Sequence, residues 1–283
     1  MRILFISTYP PERDGIGDYT AALVAAVRER GHDARVLTTR SMPDAGPEVI
    51  GSIDDGLDAI GSWDPDVVHL QFAVATYGTK LPALLRLLPR LRRLRARRVV
   101  TLHEVSRDTD SLRGPGRALY RRVANAFDLA IVHTEGASSL LRGPVRASPA
   151  RTTVIPHPRI ELPPAETDAG TLRGQLGLTD KRVLLAFGFI HVDKGLDDLV
   201  EALGRIQNLP PDVHLLVAGD VRGRRGAFRA FELRDRLHLA RVRRRIRALG
   251  LDGRISFTGY VPAGHVEPLF AMAHGAVLPY RRI

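Results

Sequence analysis

Along almost the whole chain, short apolar runs alternate with stretches whose apolar residues recur at helical spacing. A helix-length segment between successive strands demands a parallel crossover rather than a hairpin, so this alternation leaves few folds open. The spacing predicts strands at Arg2–Ser7, Arg35–Thr39, Val67–Leu70, Val99–His103 and Leu129–His133. Helices are expected at Asp18–Arg30, Asp54–Ile60, Leu81–Arg95, Gly116–Ala126 and Glu135–Leu141. Pro163-Pro164 and a polar stretch then break the rhythm. It restarts with strands Val183–Phe189, His214–Ala218, Ile255–Thr258 and Ala276–Leu278, and helices Leu196–Ile206, Ala227–Leu249 and Ala263–Ala273. The expected fold class is α/β, with two doubly wound domains at 1–160 and 181–283 joined by a linker at 161–180. Ligands of open α/β sheets bind outside the carboxyl ends of the strands, here in the cleft between the domains.

Composition removes several classes. The 283 residues include no cysteine, which excludes disulfides and thiolate metal sites and fits a reducing, cytoplasmic setting. No apolar run approaches the ~18 residues of a membrane span. Ile3-Leu4-Phe5-Ile6 is too short for the ~7–15-residue core of a signal peptide and reads as a buried first strand. Lys and Arg number 42 against 31 Asp and Glu, a net charge of +11 that attracts phosphates, acidic headgroups or nucleic acid.

Four segments are candidates for chemistry. Gly15-Ile16-Gly17 follows the first strand, where glycine lets a ligand approach the backbone and a helix start favours anions. Thr20 breaks the G-x-G-x-x-G fingerprint, so a tight turn without a ligand is an equal reading. His69, His103, His133 and His157 fall at strand ends, where each is either a ligand contact or a hydrogen-bonded structural residue. Phe187–Gly195 again joins strand to helix, and Gly188 and Gly195 bracket Lys194. An ammonium there and the helix dipole would act on one anion; a solvated lysine is the alternative. Finally, Arg86–Arg98 carries seven arginines opposite a stripe of Leu84, Leu87, Leu88, Leu91 and Leu94, and Arg222–Arg247 carries eleven. Both suit a solvated helix face or an anionic membrane surface; nucleic acid is disfavoured because no aromatic platform is interleaved. There is no H-x-x-x-H or H-E-x-x-H, no compact carboxylate set, no Walker A sequence and no G-x-S-x-G nucleophile.

Together these segments resemble glycosyltransferase family 4, the retaining nucleotide-sugar glycosyltransferases of the GT-B fold. The resemblance runs through Gly15-Ile16-Gly17, Asp66–Phe72, Val100–His103, Val154–Pro158, Gly188–Leu196, Val217–Asp220, Phe257–Val261 and Val277–Tyr280. It implies two Rossmann-like domains and sugar transfer from a nucleotide-sugar donor to an acceptor hydroxyl of a glycan, lipid or small molecule, with retention. It also implies donor and phosphate contacts from Gly15, Gly17, Gly188, Lys194 and Gly195, with His103 as the catalytic residue at the transferred sugar. No metal or other cofactor is expected, because the nucleotide sugar is itself a substrate. Peripheral attachment to the inner face of a membrane, through Leu84–Arg98, is a further expectation.

Two departures accompany the resemblance. Phe189 stands where the family has an arginine, so one of two phosphate cations is missing. The family's E-x7-E element would follow Tyr280, whereas the chain ends at Ile283. The second domain is therefore expected to be incomplete, lacking on the order of 60–100 residues of a full doubly wound unit. The alternatives are an inactive remnant, another GT-B enzyme such as a sugar-nucleotide epimerase, and a basic RNA- or membrane-binding module.

Overall fold

A computed structural model describes residues 1–283 except 13, 43–45, 61–62, 149–150, 159–161, 224–228 and 282–283. The chain divides into two compact units, Met1–Ile160 and Glu161–Ile283. Each is built around its own parallel sheet.

The first unit runs β1 (Arg2–Ser7), α1 (Gly15–Glu29), β2 (Asp33–Thr38), β3 (Val49–Ser52), β4 (Val67–Phe72), α2 (Val74–Tyr77) and α3 (Leu81–Leu91). It continues with β5 (Arg97–Leu102), α4 (Val105–Ala124), β6 (Leu129–Val132), α5 (Glu135–Arg142) and β7 (Thr152–Val154). The seven strands lie in the order β3-β2-β1-β4-β5-β6-β7. Every pairing in this sheet is parallel, so all strands end at the same edge. The order reverses between β1 and β4, the position where such sheets receive ligands. The β1 run reads as continuous apolar sequence because both faces of a parallel sheet are covered; Leu4, Phe5 and Ile6 are all buried.

The second unit runs α6 (Ala169–Gln175), β8 (Arg182–Phe187), α7 (Leu196–Arg205), β9 (Val213–Ala218), α8 (Arg229–Ala248), β10 (Ile255–Gly259), α9 (Val266–Ala271) and β11 (Gly275–Ala276). Its four parallel strands lie in the order β10-β9-β8-β11, and here the order reverses between β8 and β11.

Several elements depart from the sequence expectations, each for a local reason. The helix expected at Asp18 begins at Gly15, so Gly15 and Gly17 lie in the first turn of α1 rather than ahead of it. The helix expected from Gly116 starts at Val105. Gly114-Pro115 reads as a break, but the chain absorbs it as a kink at Arg113 (φ 49°) and stays helical on both sides. The stretch expected as linker carries α6, whose Leu172 packs with Leu178 into the second unit's core. Its start is capped by Asp168, which accepts from Thr171 N–H at 2.9 Å. Strands β3 and β7 are not among the expected ones; Val49-Ile50-Gly51-Ser52 and Thr152-Thr153-Val154 are both short and largely half-buried. In α3 the leucine stripe points into the protein: Leu84, Leu87, Leu88 and Leu91 are buried in the first core. That apolar face is occupied by the fold, and the exposed residues of α3 are Pro82, Arg86, Pro89 and Arg90.

Asp108 ties these parts together. Its buried carboxylate accepts from Val74 N–H at 2.9 Å, from the Tyr120 hydroxyl at 2.8 Å and from Arg107 at 3.2 Å. One acidic group thus joins the start of α2 to both halves of kinked α4. Replacing Tyr120 by Phe keeps the ring and deletes one of these donors. The expected cost is about 1–2 kcal/mol. This corresponds to a fall of roughly 2–8 °C in Tm for a unit of this size. Thermal unfolding followed by circular dichroism checks it; an unchanged midpoint would mean that Asp108 does not hold the helix pair.

Candidate functional site

In the second unit the turn after β8 holds Gly188, Phe189, Ile190, Lys194 and Gly195. With Val277, Pro279 and Tyr280 after β11, it lines a small pocket at the β8–β11 reversal. Two glycines are required for this shape. Gly195 is left-handed (φ 65°), and a Cβ there would lie 2.0 Å from the Pro279 carbonyl oxygen. Gly219 (φ 147°) backs the turn so closely that a Cβ would meet the Gly188 carbonyl oxygen at 2.0 Å. No side chain is compatible with either position.

Lys194 stands one residue before the helix-capping Gly195. Its ammonium lies 3.7 Å from the centroid of the Tyr280 ring and also bonds the Tyr280 hydroxyl. Helix α7 carries Asp197 and Asp198 in its first turn, an arrangement that by itself would repel an anion. Arg281 clamps both, at 2.6 Å to Asp197 and at 2.6 and 2.9 Å to Asp198. Hydrogen bonding to that guanidinium holds the Asp198 carboxyl below the usual range. One guanidinium shared by two carboxylates offsets one of their two charges, and the Lys194 ammonium at the mouth of the pocket offsets the other. Phe189 faces a second cation: the Arg222 guanidinium lies 5.7 Å over its ring.

In the first unit, α1 starts where Asp14 accepts from the Thr8 hydroxyl at 2.6 Å. The Thr20 hydroxyl, at the position that breaks the glycine fingerprint, bonds Ser7 Oγ at 2.7 Å and donates to the Ile16 carbonyl at 2.7 Å. It pins α1 against β1, as a third glycine's close packing would. Gly17 sits tight against Tyr9 N and Thr8 Oγ1, at 3.3 and 3.4 Å from a would-be Cβ, so packing accounts for it. Gly15 has nothing within 4 Å, so packing within the unit does not require it.

The four strand-end histidines part company. His69 turns to Thr101 Oγ1 (2.8 Å) and its ring packs 5.4 Å from Phe5. His103, His133 and His157 instead gather beyond β5, β6 and β7. Ring centroids are 5.0 Å apart for His103–His133, 4.8 Å for His133–His157 and 6.5 Å for His103–His157. Tyr19 of α1 meets all three, at 5.0, 5.8 and 5.1 Å. His103 Nε2 bonds Gln71 Oε1 at 2.8 Å, and Gln71 is fully buried. Short-range motifs gave no sign of this cluster, because the spacing is set by strand-to-strand distance along the chain. Tyr19, Gln71, Arg222 and Tyr280 carry no role in the sequence reading, although Gln71 and Tyr280 lie in segments marked by the family resemblance and Arg222 in the arginine-rich stretch.

Comparison with known proteins adds three findings. Residues 13–158 match the family described as Glycosyltransferase Family 4, and residues 181–282 match that described as Glycosyl transferases group 1. No curated protein matches the chain. Among solved structures, Anabaena HepE in complex with UDP-glucose is similar at TM-score 0.68 and 17% identity, over 98% of this chain and 73% of that one. Sucrose-phosphate synthase from Thermosynechococcus elongatus is similar at TM-score 0.68 and 16% identity, over 99% and 75%. A putative UDP-N-acetylglucosamine 2-epimerase from Listeria monocytogenes is similar at TM-score 0.62 and 13% identity, over 97% and 73%. At these identities the likeness establishes the fold.

Burial, with the neighbouring histidines adding to it, lowers the His103 pKa to about 3, and burial lowers that of His69 to about 4. In the unfolded chain both return to about 6.5. As pH falls below about 6.5 the unfolded chain binds protons that the folded one refuses, so stability present at neutral pH drains away towards pH 4. Urea unfolding is expected to show a flat plateau at pH 7–8 and an acid limb below about 6.5. That limb should become shallower by up to about two protons in the variant His69→Gln/His103→Gln. An identical slope in the variant would contradict the assignment.

Proposed function

On the premise that this chain belongs to glycosyltransferase family 4, we propose that it transfers a sugar from a nucleoside-diphosphate sugar to an acceptor hydroxyl, with retention at the anomeric carbon. The observation that carries this reading is the Lys194 turn. It is a strand-to-helix bend at a topological switch point, with glycine at 188 and 195, a lysine at its mouth and the nearby acids bonded to Arg281. Such a bend suits a diphosphate, whose charge rises as the sugar leaves.

Each group has a defined part. Lys194 and the N-terminus of α7 take the leaving diphosphate. Arg222, held over Phe189, supplies the second cation that the family places at position 189. Gly188 and Gly195 keep the turn low enough for the phosphates to reach backbone. In the first unit, which takes the acceptor side, the open face at Gly15 admits a ligand against the start of α1, and Gly17 maintains the loop beneath it. His103, neutral at physiological pH, contacts the transferred sugar. Transfer of this kind draws its charge stabilisation from these cations and dipoles and uses no metal. The similarity to a UDP-glucose complex makes UDP-glucose the first donor to try. No helix among the described residues is long and apolar enough to cross a membrane. With the leucine stripe of α3 buried, any contact with an anionic bilayer rests on the arginines at 86, 90, 92, 93 and 95.

Isothermal titration with UDP and GDP tests the phosphate assignment. Lys194→Ala is expected to weaken diphosphate affinity by roughly 10–100-fold, the worth of a charge-assisted contact of about 1.5–3 kcal/mol. Arg222→Ala is expected to weaken it by a smaller factor, with nucleoside binding itself unchanged in both. Affinities equal to the unmodified chain would remove Lys194 from the site. With a donor and an acceptor in hand, the anomeric coupling of the product by NMR decides retention against inversion. Consumption of donor without any acceptor would instead favour an epimerase.

A further inference from the structure

We infer that His103, His133 and His157 form a binding site for one divalent transition-metal ion of the zinc class, held by three imidazoles with a fourth position open. Each of the three side chains offers one ligand atom, and these atoms lie within 4.8 Å of one another. The second nitrogen of every ring is already committed to an oxygen. His133 Nδ1–H donates to the Ile155 carbonyl at 2.9 Å. His157 Nδ1–H donates to the Pro158 carbonyl at 3.3 Å. His103 Nε2–H donates to Gln71 Oε1 at 2.8 Å. The Ile155 and Pro158 carbonyls only accept, which fixes the tautomers of His133 and His157; with Gln71 presenting Oε1, His103 is protonated on Nε2. The nitrogens left over, His133 Nε2, His157 Nε2 and His103 Nδ1, carry lone pairs and no proton. This is the outer-shell pattern of ligating histidines, in which the far N–H is anchored to an oxygen and the near nitrogen faces the metal.

The distances agree. His133 Nε2 and His103 Nδ1 stand 3.3 Å apart. Two nitrogens at ~2.0–2.1 Å from a tetrahedral ion are separated by about 3.3–3.4 Å. Without an ion, two lone pairs would face each other across that gap. The rings are also held in place before any ion arrives, because the edge contacts of Tyr19 touch all three. Imidazole-only ligation selects zinc, cobalt, nickel or copper and rejects magnesium and calcium, which require oxygen donors. Three protein ligands leave room for a water or another oxygen ligand. The inference shares His103 with the transfer reading, since an ion on Nδ1 and Gln71 on Nε2 would occupy both ring nitrogens; its test reads no activity, so its failure leaves the transfer reading standing.

The full chain, stripped with a chelator, would be titrated with zinc chloride against a chromophoric competitor. One ion per chain is expected, with a Kd below about 10 µM. His133→Ala and His157→Ala, separately, are expected to weaken it by at least about tenfold, while His265→Ala, in the other unit, leaves it unchanged. Millimolar magnesium should not compete. Because a variant could fail to fold, cobalt(II) added to the unmodified chain gives a second readout: an intense visible spectrum of tetrahedral type is expected. A Kd weaker than about 10 µM, affinity indifferent to both histidine variants, or a pale octahedral cobalt spectrum would each overturn the inference. The three imidazoles would then be structural, each bonded to its own oxygen partner at Ile155, Pro158 or Gln71.

Discussion

A parallel sheet delivers every strand's last residue to the same edge, and both candidate sites of this protein depend on that constraint. In the first unit β5, β6 and β7 release His103, His133 and His157 side by side, although they are separated by 30 and 24 positions in the chain. In the second unit the turn after β8 meets the segment after β11, so that Lys194 reaches Tyr280 across 86 positions. Ladder pairing supplies this convergence through backbone hydrogen bonds alone. The side chains at the edge are therefore released from holding the fold together and can be chosen for chemistry. The cost appears at the turns, where glycines at 195 and 219 are the only residues whose backbone and bulk fit.

Charge is arranged to match. The chain carries 42 basic residues, but few of them define a site. Arg98 serves Asp128, Arg182 serves Asp212 and Arg245 serves Glu201, all at or near the surface, where such pairs contribute little stability. Arg281 differs in what it protects. By bonding both Asp197 and Asp198 it offsets one of the two charges that oppose an anion at the start of α7. Room for an anion at this turn thus rests on pairing the neighbouring carboxylates as much as on Lys194.

Much of this architecture is legible from the residues. Periodicity marks nine of the eleven strands among the described residues, since Val/Ile/Leu-rich runs bounded by helical stretches have few other uses; β7, Thr152-Thr153-Val154, is only three residues long and escapes. β3 escapes because Val49-Ile50-Gly51-Ser52 is too short and too mixed to stand out. The early half of α4 escapes because Gly114-Pro115 looks like a terminus when only a kink is present. For the sites, Gly188–Gly195 is readable because its parts are consecutive. The histidine cluster is visible only as separate strand-end residues, since sequence order carries no information about which strands become neighbours. Arg222 could not be singled out among eleven arginines in its segment; its stacking on Phe189 is a three-dimensional fact.

The central claim is that the bend between β8 and α7 holds a nucleoside diphosphate. A crystal structure of the chain soaked with UDP addresses it directly. The account predicts phosphate density over the Gly188–Gly195 turn, with an oxygen within about 3 Å of Lys194 Nζ. Nucleotide bound elsewhere, with that turn empty, would contradict it.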